Sequence, residues 1–90
     1  MRAVITVDGM GESEYRVTVH DGGSSSVYEV SVSPGDVARY APGVRPERLV
    51  RASFEFLFAR RSQDAIPRAF DLSALEQQFP EYAVVMSTWF

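Results

Sequence analysis

Cysteine is absent from this chain of 90 residues. That excludes disulfides, thiolate nucleophiles and every zinc site built on sulfur, and it leaves packing as the source of stability. Lysine is absent too, so all nine basic residues are arginine; such a bias is set more often by base composition of the gene than by recognition and carries little functional weight. Histidine occurs once, at His20. A single imidazole without cysteine makes no transition-metal site unless several carboxylates join it. No apolar run approaches the roughly 18–20 residues that span a bilayer, and the first residues lack the apolar core of a signal peptide. The expectation is a cytoplasmic protein.

A chain this short closes one hydrophobic core and has too little interior for two. An apolar fraction of 46% with 23% charged residues is that of a folded domain rather than a disordered one. The reading is therefore one α+β domain over residues 1–90. The net charge of −3 is unevenly laid out. Residues 1–36 carry Arg2 and Arg16 against Asp8, Glu12, Glu14, Asp21, Glu29 and Asp36, a balance of −4. Residues 37–68 carry seven arginines against Glu47, Glu55 and Asp64, a balance of +4, and Asp71, Glu76 and Glu81 follow. A basic middle between acidic ends is an electrostatic footprint.

Periodicity places the elements. Residues 3–8 alternate and are β-branched, with Ala3, Ile5 and Val7 on one face. Residues 14–20 alternate more cleanly, Tyr15, Val17 and Val19 inward, with Glu14, Arg16, Thr18 and His20 outward. After Asp21-Gly22-Gly23 the pattern resumes with Tyr28, Val30 and Val32. Short links between three such strands predict an antiparallel meander. Pro34-Gly35 ends it, and Asp36 is placed to cap a single turn reaching Tyr40. Pro46 suits the first position of the main amphipathic helix, on which Leu49, Val50, Ser53, Phe54, Phe56 and Leu57 gather on one side. Arg48, Arg51 and Glu55 lie opposite, and Arg60 and Arg61 are assigned to its last turn.

One or two short helices complete the fold. Asp71 is placed to cap a helix with Phe70 stapled onto Leu75, while Ser73 with Glu76 offers a rival capping box. Pro80 interrupts it. Residues 83–90 are apolar and suit either a helical tail or a fourth strand, with helix the preferred reading.

The run from Pro46 to Leu57 (Pro-Glu-Arg-Leu-Val-Arg-Ala-Ser-Phe-Glu-Phe-Leu), followed by Phe70-Asp71-Leu72-Ser73 and Phe79-Pro80-Glu81-Tyr82, resembles a group of small uncharacterised bacterial proteins with a strand-rich start and this helical second half. The resemblance covers residues 44–82 and rests on packing motifs. It implies the fold and no catalytic residues. The chain departs from the group at Arg45, Arg48 and Ala59, where the group carries a serine cap and glutamates.

Candidate chemistry is sparse. His20 stands beside Asp21 and near Ser24, Ser25 and Ser26, but neighbours at a hairpin tip diverge, and the expectation is a solvated histidine rather than a triad base. Asp8, Glu12 and Glu14 lack the alternating spacing of a calcium loop, so a solvated acidic turn is expected. Gly9-Met10-Gly11 precedes a strand and so offers no helix terminus to a phosphate. No enzymatic activity, cofactor or metal is expected.

Two features remain. Arginines crowd the main helix, and large apolar residues fall outside the predicted core at Phe58 and in the tail. Arg48, Arg51, Phe58, Met86, Trp89 and Phe90 are accordingly the expected partner-binding residues, since aromatic residues with arginine typify interface cores. The expected function is a non-catalytic protein-binding or regulatory module of antitoxin or immunity type, self-associating as a homodimer through its tail. The alternative is a nucleic-acid-binding accessory protein using the arginine-rich helical region; the sequence pI of 5.0 weighs against it.

Overall fold

The computed structural model describes residues 4–90. Ala3 lies outside them. Strands β1 (Val4–Gly9), β2 (Glu14–Asp21) and β3 (Ser24–Ser31) form the antiparallel meander. The β2–β3 link is a two-residue turn over Gly22 and Gly23, and Gly22 has φ of 65°, the left-handed conformation that primed hairpin turns require and glycine adopts without strain. The period of two puts Ile5, Tyr15, Val17, Val19, Tyr28 and Val30 on one buried face.

Helix α1 (Pro34–Tyr40) follows. Its cap is Ser33, not Asp36. The Ser33 hydroxyl accepts from the Asp36 amide at 3.1 Å while the Asp36 carboxylate accepts from the Ser33 amide at 2.9 Å, a reciprocal box that satisfies two otherwise orphaned donors. The single turn expected there is thus extended to a short helix. Helix α2 (Pro46–Phe58) has proline in its first turn and buries Leu49, Val50, Ser53, Phe54, Phe56 and Leu57, the face that periodicity assigned. It ends before Arg60 and Arg61, which leave the helix instead of completing it. Arg60 nevertheless serves the helix end: its guanidinium donates to the Phe56 carbonyl at 3.2 Å and to the Glu81 carboxylate, and it lies 3.7 Å from the centre of the Phe56 ring.

A fourth strand is present, though not in the tail. After a 3-10 turn at Gln63–Ala65, residues Ala69–Asp71 form β4, parallel to β3, with Phe70 beside Val30. Backbone bonds from Glu29 to the Arg68 carbonyl and from Leu72 to the Ser31 carbonyl, 2.7 and 2.9 Å, bracket it. The Asp71-capped helix is therefore corrected. Phe70 and Asp71 belong to a strand, and the next helix, α3 (Ala74–Gln78), starts after Ser73 with no side-chain cap bond. Helix α4 (Tyr82–Trp89) is the tail, helical as preferred. Sheet order is β1-β2-β3-β4, and the helices bury the apolar sheet face. A Cα radius of gyration of 12.3 Å matches the ~12 Å of a single compact unit this long.

The helical layer is tied by a buried polar pair. The Ser53 hydroxyl, on α2, donates to the Leu49 carbonyl at 2.7 Å and lies 2.6 Å from the Tyr82 hydroxyl on α4. Serine has one proton, and with that proton on Leu49, Tyr82 is the donor to Ser53. Both residues are fully buried. Removing the two partners should then be unequal. Ser53→Ala strands a buried tyrosine hydroxyl and is expected to cost about 1–3 kcal/mol, whereas Tyr82→Phe leaves Ser53 bonded to Leu49 and costs about 1 kcal/mol. Urea midpoints of the two variants and the double variant test this; equal losses would reverse the donor assignment.

Candidate arginine-aromatic groove

Four of the six expected partner-binding residues meet in space. Arg48 and Arg51 lie three residues apart on the exposed side of α2, so they share a face of the helix. Trp89 and Phe90 end α4 alongside, and with Ala52 and Glu55 these residues line one shallow hollow of about 280 Å³. The Arg48 guanidinium stands 5.6 Å from the centre of the Phe90 ring. Trp89 and Phe90 remain 48% and 40% exposed, which leaves aromatic surface available beside two cations. Among the described residues the ion pairs are Arg16–Glu29, Arg39–Glu76 and Arg60–Glu81, none of which engages Arg48 or Arg51.

The other two expected residues lie elsewhere. Met86 is fully buried, because Tyr82 and Met86 are four residues apart and form the inward stripe of α4. It is a core residue, and its assignment as a contact residue is corrected. Phe58 is half-buried and packs against the core, its ring 6.0 Å from that of Phe54 in an edge-on arrangement. It does not line the hollow with Trp89. Ala52 and Glu55 line it as well; Glu55 was placed on the exposed face with Arg48 and Arg51 without being assigned a contact, and Ala52, four residues from Arg48, was not singled out.

The arginines disperse. Arg39 on α1 donates twice to Glu76 on α3, both at 3.0 Å. Arg61 lies 5.0 Å from the Phe79 ring and Arg68 5.3 Å from the Tyr28 ring. Around Glu76, the Tyr40 hydroxyl also donates to the carboxylate at 2.7 Å. Those bonds from Arg39 and Tyr40 hold Glu76 below the usual carboxylate range. Burial first, and then Glu76, push Tyr40 up to about 12. A tyrosine kept protonated beside a carboxylate kept ionised exchanges no proton near neutrality, so the cluster acts as a clasp between α1 and α3.

His20 is exposed at the end of β2, opposite Ser25 in register. The Ser24 hydroxyl donates to the Asp21 carbonyl at 3.0 Å, closing the hairpin tip. Glu14 accepts from the Ser31 hydroxyl and Asp8 lies opposite Arg16, so these carboxylates work across the outer sheet face. Among the described residues no group of three or more His, Cys, Asp or Glu side chains is placed to hold a metal ion, and no helix is long and apolar enough to cross a membrane. No protein-family model, curated protein or solved structure matches this chain.

Proposed function

We infer that the protein is a non-catalytic binding module whose contact surface is the groove of Arg48, Arg51, Trp89 and Phe90, and that its occupant is an acidic segment of a protein partner. The observation that carries this reading is convergence: cations from one helix and aromatics from another, some forty residues later in sequence, meet with both kinds of surface still exposed. Arginine and tryptophan are the residues most enriched among interface hot spots, and carboxylates match the arginine fork. An antitoxin- or immunity-type pairing is one form such a contact takes. The scatter of the remaining arginines over α1, the end of α2 and the flank of β4 supports a local contact over a long nucleic-acid track.

Trp89 is the chain's one tryptophan and reports on the groove directly. An acidic peptide carrying aromatic residues should change its emission and bind more weakly as salt rises. Arg48→Ala and Trp89→Ala should each weaken binding about tenfold or more, equivalent to at least ~1.4 kcal/mol. Equal binding by the variants would defeat the reading. A salt-dependent shift of duplex DNA that is lost in Arg48→Ala/Arg51→Ala would replace it with the nucleic-acid alternative.

A further inference from the structure

The outer edge of β1 is open: among the described residues, β1 pairs with β2 alone. Which of its backbone groups face outward follows from the ladder. The Met10 amide donates to the Glu14 carbonyl at 2.8 Å, so Met10 and Glu14 are a hydrogen-bonded pair. Such pairs alternate along an antiparallel ladder, and in this register Asp8, Thr6 and Val4 therefore aim their amides and carbonyls at β2. Ile5, Val7 and Gly9 aim theirs at the open edge. The next ladder agrees: the Val32 amide donates to Ser13, which turns β2's odd-numbered residues toward β3 and its even-numbered ones toward β1.

Edge strands are ordinarily blunted by proline, by lysine, by an inward charge or by a bulge. From Val4 to Gly9 the pairing runs without a bulge, contains no proline or basic residue, and has one charge, Asp8. A row of outward amides and carbonyls that only water satisfies is a ready template for another strand. We propose that this edge pairs with β1 of a second copy, antiparallel about a twofold axis through Val7, giving one sheet continuous across two molecules.

The register is set by what each residue would meet. With Val7 opposite Val7 of the second copy, Ile5 meets Gly9, and these are the residues whose backbone groups point outward, so each pair exchanges both its bonds. On the outer face Thr6 meets Asp8, a hydroxyl donor facing a carboxylate. Val4 meets Met10. Those two are 60% and 52% exposed, and the twofold pairing brings them into contact. Val7, half-buried at the margin of the core, gains its twin on the inner face. Moving the axis to Thr6 sets Val4 against Asp8 and leaves Met10 past the end of the described strand. A parallel in-register pair sets Asp8 against Asp8. The antiparallel arrangement through Val7 places no like charges opposite one another and covers both exposed apolar residues.

Sedimentation of the whole chain across a concentration series, with amide hydrogen exchange followed by NMR, tests the proposal. Dimer should form with rising concentration, and protection at the Ile5, Val7 and Gly9 amides should rise with it while Trp89 emission stays constant. Thr6→Glu sets a carboxylate against Asp8 of the second copy twice over, and should raise the dimer dissociation constant about tenfold. T6E/D8N removes the repulsion and should restore it; circular dichroism checks that both variants stay folded, as expected for exposed positions. A monomer at millimolar concentration overturns the proposal. So does a dimer in which those three amides exchange as in the monomer, or one in which Trp89 emission shifts on assembly, which would move the contact to the tail. These outcomes leave the peptide test of the groove unaffected.

Discussion

Phe56→Ala should leave the protein folded but much less stable, with the urea midpoint falling by more than for any exposed substitution. Phe56 is 1% exposed on the inner face of α2. Its ring meets Tyr82 at 5.3 Å and Phe79 at 5.5 Å, both edge-on, and carries the Arg60 guanidinium 3.7 Å from its centre. One side chain thus joins α2 to α4, to the link after α3 and to the arginine that closes the end of α2. Truncation removes the transfer free energy of a buried ring and leaves a cavity that three rigid elements cannot collapse into, a cost of about 3–5 kcal/mol. A domain this long has roughly 5–13 kcal/mol in all. Phe58→Ala is the control: the side chain is half-buried with one aromatic neighbour, so its loss should be clearly smaller. Chemical denaturation followed by circular dichroism distinguishes the two, and equal losses would mean the helical layer is not fastened at Phe56.

Stability should also fall steeply in alkali. Burial pushes Tyr82 well above the ordinary tyrosine value, and Tyr40 is pushed up to about 12 by burial and by Glu76. Both folded values lie above the unfolded value near 10, so the unfolded chain releases protons that the folded chain retains. Stability is then complete below pH 10 and is lost as pH rises toward the folded values. For fully buried Tyr82 the loss approaches about 1.4 kcal/mol per pH unit, while Tyr40, pushed up less far, contributes over a shorter span of pH. Urea midpoints measured from neutral pH upward should decline beyond pH 10, and Tyr82→Phe should flatten that decline. An unchanged slope in Tyr82→Phe would place the alkaline loss elsewhere.

Elements whose signals are local are legible in the residues alone. Period-two alternation with Gly22-Gly23 between the runs fixed β2, β3 and the inward set from Tyr15 to Val32, because side chains of a strand can face only two ways. Helical spacing after Pro46 fixed α2 and which of its faces is wet, so Arg48 and Arg51 were recognisable as surface cations. Trp89 and Phe90 were recognisable as apolar residues in excess of a small core.

Long-range packing set the rest. Strand β4 has three residues and pairs with β3 across a connection that includes α1 and α2, so its signal is the partner's open edge rather than its own composition. The rotation of α4 was equally invisible, since a helix apolar all round does not announce its inward stripe. Packing against Tyr40, Phe56 and Ser53 turned Tyr82 and Met86 inward, and left Val84, Trp89 and Phe90 in water. That choice removed Met86 from the contact surface and set Trp89 and Phe90 beside Arg48 and Arg51. The groove exists because the sheet and the buried serine-tyrosine pair settled where one helix lies against another, and no spacing within either helix encodes it.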